Sequence, residues 1–589
     1  MSARLSGDDK AQEEDRTRRL NEILDSPALL KLIVAGPGTG KTFTFKELLS
    51  KIEGRGLAMT FINALRDDLD RAVGSKAGKH LADVYTFHGF CRRLLHQIPI
   101  ANLTASVSYY PPLSLITAQD IELVDETMMT KEGIQDALLM IDESSGVIPL
   151  ILRSGSYYDA CGHDEAVYRV YRALEADLSR VPPYPVVVVD EYQDFSPLEV
   201  ELLHLVARIN PILVVGDDDQ ALYGFRHANA QFIRELASSG AYERFELPWC
   251  SRCTAVMVAG THEVIRRGQA IGLLGNRISK DFKCFMPRKR ADSDRYPKLV
   301  YAKCTVQNGA GKANYSARYI DQQLRSIPSE EIEEAKRDRN PTALIIGPGP
   351  YITDPIFDHL QAAGWNVKRK PKQDFDVEAI DGYLRLSRDP KSRLGWRIIL
   401  HEHPLPKRSA KTILKSALLD GEELRDLLPA DYRDTHLRVS ALLNDLRDGH
   451  GLEKSDEEFV SEYVHLSIDD IMERLGLDDV QEEDGSELQE AEPTVEQEGP
   501  EILVTTLPGA KGLQAAHVFI VGMMEGDFPR HEPTDEDVCC LIVALTRATK
   551  SCTLISAGMF SGKPKRPSRF IDWLAPHLRV VQINKSYFA

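Results

Sequence analysis

The stretch AGPGTGKT, residues 35–42, contains the residue types that bind a nucleoside triphosphate. It follows an apolar run and opens a helical segment, where glycines let backbone N–H groups face a phosphate at the helix N-terminus. Lys41 can reach the β- and γ-phosphates, and Thr42 can ligate Mg²⁺. Six residues that precede Lys41 are also predicted to line the phosphate site: Ala35, Gly36, Pro37, Gly38, Thr39 and Gly40.

A second stretch, VVVVDEYQD, residues 186–194, supplies acidic residues where an apolar strand ends. Asp190 can hold Mg²⁺ directly or through water. The adjacent Glu191 can polarise the attacking water as a general base. Together with the phosphate loop, these residues predict hydrolysis of a nucleoside triphosphate, but they do not specify what the hydrolysis drives.

The segment ILVVGDDDQALYGFRHANAQFI, residues 212–233, begins as a buried strand and continues into a loop of unusual composition. Three aspartates and Gln220 follow the apolar run, and Tyr223, Phe225 and Arg226 come directly after them. Acidic residues suit a metal or phosphate site, whereas aromatic rings beside an arginine suit stacking on bases. One loop is therefore predicted to face both kinds of ligand.

Several segments, in matching chain order, resemble the signatures of superfamily 1 helicases of the UvrD/Rep/PcrA type. The segments are AMTFINA (58–64), TFHGFCRRLL (86–95), DEYQD (190–194), GDDDQALYGFR (216–226), TTLPGAKGLQ (505–514) and VALTRA (543–548). The resemblance implies an ATP-dependent motor that uses Mg²⁺ and moves 3′ to 5′ on single-stranded DNA. It also implies that duplex DNA is a possible substrate for strand separation.

The resemblance assigns further residues to the nucleotide. Gln220 is expected to sense the γ-phosphate, and Gly512 is expected on the nucleotide side. Arg547, and Arg252 in a degraded motif, are expected to supply positive charge from the second domain or its hinge. An arginine finger contributes on the order of 10³–10⁵ in rate. We therefore expect the site to be complete only when the cleft between the two domains closes.

The resemblance also implies a nucleic-acid face. The residues assigned to it are Phe61, Asn63, Thr86, His88, Tyr223, Phe225, Arg226 and Lys511. Phe225 stands where the family usually has tryptophan, and Ser251 where a tyrosine stacks on adenine. Within TTLPGAKGLQ (505–514), Pro508 and Gln514 also depart from the family pattern. These differences indicate a compact, divergent branch and leave the strictness of the ATP preference open.

The order of the strand and helix signals predicts an α/β fold, and the resemblance implies two RecA-like P-loop NTPase domains. Each has a parallel sheet and is interrupted by a mainly helical insertion. The predicted units are 1–95 with 181–275 (first RecA-like domain), 96–180 (helical accessory insertion), 276–399 with 501–589 (second RecA-like domain), 400–477 (reduced helical insertion) and 478–500 (acidic linker). The linker is predicted to be disordered because it has too little apolar surface to offset the entropy of ordering.

Composition places the chain among soluble globular proteins. Its 589 residues contain no apolar run long enough for a membrane span, and residues 1–19 lack the apolar region of a secretory signal. Nine scattered cysteines favour a reducing compartment, so we predict a cytoplasmic protein. The net charge of −17 does not argue against DNA, because eleven acidic residues lie between 478 and 501 without a lysine or arginine.

Three alternatives stay open at this point. Cys250 and Cys253 could indicate a metal, but no second cysteine pair or histidine pair completes a zinc pattern. The chain could instead be a regulatory ATPase that senses DNA or nucleotide and controls a partner nuclease in a repair or antiviral defence complex. An RNA helicase would have the same ATP-hydrolysing motifs. The helicase signatures favour the DNA motor.

Overall fold

The computed structural model describes residues 7–60, 81–307, 314–370, 375–484 and 499–589. Phe225 and residues 477–484 are described by their backbone alone. Among the described helices, none has the length and apolar content that a membrane span requires. Phe61 and Asn63, which were predicted to contact DNA, lie outside the described residues.

The first sheet has the strand order β3-β2-β6-β7-β1-β8, and every neighbouring pair is parallel. The strands up to residue 284 are β1 (Leu30–Ala35), β2 (Gly56–Thr60), β3 (Ala82–Thr86), β4 (Ser108–Tyr109), β5 (Ala160–Cys161), β6 (Val187–Val189), β7 (Ile212–Gly216), β8 (Glu243–Leu247), β9 (Trp249–Cys250) and β10 (Lys283–Cys284). The interior strands are near-continuous apolar runs because helices cover both faces of the sheet. The phosphate loop leaves β1, and the loop with three aspartates leaves the adjacent β7.

Helices surround this sheet and also form the region inserted after β3. They are α1 (Gly7–Asp25), α2 (Lys41–Lys51), α3 (Phe87–Gln97), α4 (Leu113–Val124), α5 (Lys131–Leu139), α6 (Val147–Tyr158), α7 (His163–Ala176), α8 (Pro197–Ala207), α9 (Ala230–Ser238), α10 (Ala255–Ala270) and α11 (Met286–Arg295). Several apolar side chains of the region 96–180 share one core cluster with the first sheet. That region is therefore packed firmly onto the first half of the molecule.

The second sheet has the order β13-β14-β12-β15-β16-β11-β18, again parallel along this path, and β17 pairs antiparallel with β16. Its strands are β11 (Leu299–Gln307), β12 (Ala343–Gly347), β13 (Val367–Arg369), β14 (Ile502–Thr506), β15 (Ala515–Ile520), β16 (Ala548–Phe560), β17 (Lys563–Pro564) and β18 (Leu578–Ile583). The helices between β11 and β13 are α12 (Tyr315–Arg325), α13 (Ser329–Arg337) and α14 (Pro350–Ala362). Two parallel sheets with helices confirm the predicted α/β class.

A helical body lies between β13 and β14 in the chain. Its helices are α15 (Ala379–Arg388), α16 (Arg393–Glu402), α17 (Lys407–Asp420), α18 (Leu424–Leu427), α19 (Ala430–Arg447), α20 (Lys454–Val464) and α21 (Ile468–Asp484). Trp396 and Tyr383 are fully buried in the same apolar cluster as residues of α17 to α21. Helices α15 and α16 therefore pack with the helical body, whereas the predicted second RecA-like domain extends to residue 399.

The helical body and the region 96–180 meet through a buried ion pair. Arg397 Nε lies 2.8 Å from Asp120 Oδ1, and both side chains are 2% exposed. The second oxygen of Asp120 accepts hydrogen bonds from Ser154 Oγ (3.1 Å) and Tyr158 Oη (2.9 Å). Apolar residues from both regions share one cluster around this pair. The two helical regions, although distant in sequence, are therefore joined in one packed body.

Helix α21 continues through Asp484, so it extends into the stretch 478–500 that is predicted to be a disordered linker. After α21, the described chain resumes at residue 499 and enters β14. The last described helices, α22 (Asp535–Leu545) and α23 (Arg569–Leu574), pack against α10 of the first half.

Candidate nucleotide and nucleic-acid site

The phosphate loop connects β1 to α2 through two glycines in the left-handed region. Gly38 has φ +69° and Gly40 has φ +95°, values that strain any residue with a Cβ atom. A methyl group on Gly38 would also lie 2.3 Å from Arg252 Cβ. Ser251 N donates to Gly38 O at 2.8 Å. Ser251 and Arg252, which were predicted to lie on the nucleotide side, are therefore directly against the phosphate loop.

Lys41, at the start of α2, faces the two acids that end β6. Its Nζ lies 3.1 Å from Glu191 Oε1 and 3.7 Å from Asp190 Oδ1. All three side chains are largely buried. The structure thus brings together the lysine and the two acids that the sequence assigned to one site. Ion pairs of this kind hold the lysine where a γ-phosphate would compete for it.

The two acids have opposite electrostatic environments. Burial raises the pKa of Asp190 to about 6, and the nearby Lys41 charge only partly opposes it. For Glu191, burial also favours the neutral form, but the charges of Lys41 and Lys511 outweigh it and hold the pKa well below its usual range. Glu191 is therefore a carboxylate at neutral pH, as a general base must be.

Thr42 and Asp190 offer a hydroxyl and a carboxylate oxygen, which are the hard donors that Mg²⁺ prefers. Thr42 lies exposed in the first turn of α2. Asp190 Oδ1 accepts from Glu191 N at 2.9 Å, which fixes the carboxylate at the end of β6. The pKa of Asp190 is raised because its burial outweighs the nearby Lys41 charge. This donor set fits a magnesium ion.

Two glutamines connect the acids to the loop after β7. Gln193 Nε2 donates to Glu191 Oε2 at 2.6 Å, and Gln193 Oε1 accepts from Asp217 N at 2.9 Å. Gln220 Nε2 donates to Asp217 Oδ2 at 2.7 Å. Both glutamines are buried, so each amide has a fixed orientation. The loop after β7 is thereby rigidly joined to the general-base candidate.

Arg547, at the end of α22, reaches this loop from the second half. Its Nη2 donates to Gln220 Oε1 at 3.0 Å, and its Nε donates to Val543 O at 3.1 Å. Burial and the nearby Arg252 charge lower the pKa of Arg547. Arg252 Nε is itself buried without a hydrogen-bond partner among the described residues. Two arginines with so little anionic compensation can bind a phosphate.

Lys511 was predicted to contact nucleic acid, but it is buried beside the acids. Its side chain is 2% exposed, forms an ion pair with Asp194 and lies 3.8 Å from Glu191 Oε2. Lys511 Nζ also donates to Gln220 O at 2.7 Å. In this structure Lys511 is therefore an internal tie between the two halves. Gly512 follows it with φ +81°.

The aromatic part of the same loop lies next to this lysine. Lys511 Nζ is 5.6 Å from the centroid of the Tyr223 ring. Arg226 Nη2 lies 3.2 Å from Asp164 Oδ1, on the region inserted after β3. The loop after β7 thus extends from the acids at β6 to the inserted region. Its Phe225 is described by the backbone alone, within the turn Gly224–Arg226.

The two predicted contacts near α3 are engaged inside the protein. Thr86 caps α3, because its hydroxyl accepts from Gly89 N at 3.0 Å. His88 is buried, lies 3.2 Å from Asp164 Oδ1 and stacks on His163 with ring centroids 3.6 Å apart. Neither side chain projects openly into solvent. Their DNA contacts stay predictions, and His88 shares its partner Asp164 with Arg226.

Comparisons with known proteins match both halves. The UvrD/REP helicase N-terminal domain matches residues 17–145 and 157–240, and the UvrD-like helicase C-terminal domain matches residues 438–558. The chain belongs to the UvrD-like helicases. The two parallel sheets of this UvrD-like chain are accordingly its RecA-like domains.

Curated relatives extend this similarity along most of the UvrD-like chain. DNA helicase II of Salmonella typhimurium strain LT2 and of Escherichia coli strain K12 are each 24% identical, covering 94% of this chain and 86% of the relative. The ATP-dependent DNA helicase PcrA of Leuconostoc citreum is 23% identical, covering 93% of this chain and 83% of its own length. The low identity agrees with a divergent member.

One feature of this UvrD-like helicase was not predicted from its sequence. The three consecutive aspartates after β7 surround Lys280, whose Nζ lies 2.7, 2.6 and 2.8 Å from Asp217, Asp218 and Asp219. Arg277 adds a bond of 2.6 Å to Asp219. A lysine ammonium therefore occupies the position where this acid cluster could otherwise hold a metal ion. Only the distant sequence NRISK, residues 276–280, could have suggested this partner.

Proposed function

We propose that the chain is an ATP-dependent DNA helicase or translocase that couples ATP hydrolysis to 3′–5′ movement on single-stranded DNA. The observation that supports this most directly is the position of Gln220. Its side chain bonds Arg547 of the second half, its carbonyl oxygen accepts from Lys511, and its loop continues to Tyr223 and Arg226. The proposed nucleotide sensor and the proposed strand contacts therefore share one short segment, which is buried at Gln220 and partly exposed at Tyr223 and Arg226.

In this proposal the phosphates bind the backbone N–H groups of the loop between β1 and α2. Lys41 leaves Glu191 for the β- and γ-phosphates, because a phosphate offers it a higher negative charge. Thr42 and Asp190 hold Mg²⁺, which offsets the negative charge of the phosphates when it is bound. Glu191, released from Lys41 and still oriented by Gln193, polarises the attacking water.

Two arginines supply the remaining positive charge. Arg547 reaches Gln220 from α22 of the second half, and Arg252 lies against the phosphate loop in the segment after β9. Positive charge that reaches the γ-phosphate only in the closed cleft stabilises the transition state rather than the bound nucleotide. Hydrolysis removes that anchor and lets the two halves separate again. Repeated closure and opening is the proposed motor cycle.

The strand contacts respond through the same loop. A shift of Gln220 moves Tyr223, whose ring lies near Lys511, and Arg226, which pairs with Asp164. Aromatic stacking on bases tolerates any base sequence, as a translocating motor requires. Tyr223, Phe225 and Arg226 are the proposed contacts to single-stranded DNA, and Thr86 and His88 support them from α3.

The proposal is tested by steady-state ATP hydrolysis with and without single-stranded DNA, with Glu191→Gln as the inactive control. Strong stimulation by DNA in the wild type, absent in the variant, is the expected result. Direction is tested separately on duplexes with a 3′ or a 5′ single-stranded tail, and only the 3′-tailed substrate should be separated. An ATP hydrolysis rate that is the same with and without DNA would refute the coupled motor and favour a regulatory ATPase.

A further inference from the structure

Arg16, on α1, lies next to the phosphate loop although it belongs to none of the helicase signatures. A methyl group on Gly40 would lie 3.4 Å from Arg16 Nη2. The guanidinium carbon of Arg16 lies 4.8 Å from the centroid of the Phe285 ring. The residues matched to the UvrD/REP domain begin at residue 17, so the family match does not include this arginine.

The position of Arg16 is fixed by contacts of two neighbouring residues on α1. Gln12 Oε1 accepts from Met286 N at 3.1 Å, one turn before Arg16. Asp15 Oδ2 accepts from Trp249 Nε1 at 2.7 Å. Helix α1 is thus bonded to the segment that joins the two halves of the molecule. A guanidinium held on a ring by a fixed helix loses little further entropy when it binds a ligand.

The guanidinium of Arg16 is not bonded to a carboxylate. In the described parts of the chain, it forms no hydrogen bond or ion pair. Burial and the charge of the neighbouring Arg288 lower the pKa of Arg16, and the charge of Glu13 on the same helix opposes this. A guanidinium without a bonded carboxylate favours an anion as ligand.

We propose that Arg16 is a further phosphate-binding residue of the nucleotide site, donating its Nη2 hydrogens to the triphosphate held by the loop. This inference rests on the proposed function, because it assumes that the loop binds ATP. A phosphate is favoured over the base because the terminal nitrogen points to Gly40, whereas the face of the guanidinium is against Phe285.

The experiment compares binding of ATP and of inorganic tripolyphosphate by calorimetry on the full chain. The variants are Arg16→Ala, Arg16→Gln and Arg16→Lys, with Arg18→Ala as the matched control. Arg18 is on the same helix but is 57% exposed and pairs with Asp15 and Glu22. Loss of a charge-assisted contact should weaken both ligands about tenfold in the two neutral variants. The lysine variant should retain most of the affinity, and the control should match the wild type.

Other outcomes overturn the inference in distinguishable ways. Unchanged affinity for both ligands in folded Arg16→Ala and Arg16→Gln would show that Arg16 does not contact the nucleotide. Weaker ATP binding with unchanged tripolyphosphate binding would assign Arg16 to the base instead. A wild-type chain that binds neither ligand would refute the proposed function as well. Two neutral variants of different size, checked by thermal melting, ensure that a folding defect in one of them does not decide the result.

Discussion

Arg547 Nη2 and Gln220 Oε1 lie 3.0 Å apart, although they are on opposite halves of the molecule. This hydrogen bond joins the end of α22 to the loop after β7 inside a buried site. Arginine keeps its charge even when it is buried, so an anion that enters here gains a strong partner. The bond thus places a positively charged guanidinium beside the residue proposed to sense the γ-phosphate.

Arg547→Ala should therefore lower kcat for ATP hydrolysis by about 10³-fold or more, because an arginine finger contributes on the order of 10³–10⁵ in rate. ATP binding should change far less, since the arginine acts mainly on the transition state. Steady-state kinetics and calorimetry on the same preparation measure the two quantities. An equal loss in affinity and in kcat would instead mean that Arg547 binds the ground state.

Tyr223→Ala should reduce the apparent affinity for single-stranded DNA about tenfold, because stacking contributes roughly 1–3 kcal/mol per base. Tyr223→Phe retains the ring and serves as the matched control. The measurement is ATP hydrolysis titrated with oligonucleotide, in which basal hydrolysis should be similar for all three proteins. If Tyr223→Phe lost as much affinity as Tyr223→Ala, the hydroxyl rather than the ring would be the important group.

Lys280→Met should destabilise the chain by roughly 3–5 kcal/mol, because it leaves buried carboxylates without their cation. Three carboxylates face this ammonium within 2.8 Å, and they also raise the pKa of the lysine. Chemical denaturation followed by circular dichroism measures the loss. Lys283→Met provides a control, since Lys283 is half exposed and its surface ion pair contributes little. Equal stability of both variants would show that the ion pairs of Lys280 do not stabilise the fold.

Nucleotide binding should require more Mg²⁺ as the pH falls from 7 to 5. The pKa of Asp190 is about 6, so below that pH a proton occupies the carboxylate proposed to hold the ion. Protons and Mg²⁺ then compete, and affinity for the metal decreases by up to about tenfold per pH unit. Titration of Mg²⁺ at fixed pH, with a non-hydrolysable ATP analogue, measures the effect. A half-saturating Mg²⁺ concentration independent of pH would exclude Asp190 as the ligand.

The phosphate loop, the acids after β6 and the two parallel sheets were predictable because short patterns specify them locally. Lys41 and Glu191 do meet as their motifs predicted. The environment of Lys511 was not predictable, since its burial on Asp194 depends on how two distant halves pack. The same holds for Lys280 and for Trp396, whose partners lie far away in the chain. Tertiary packing, which no single motif encodes, decided these cases.

The pair Asp120–Arg397 has a mechanical consequence. The pair joins the insertion of the first RecA-like half to that of the second, in addition to the ties that Arg547 and Lys511 make between the halves. If the two halves move relative to one another, the insertions must therefore move as one unit, or a buried ion pair must break.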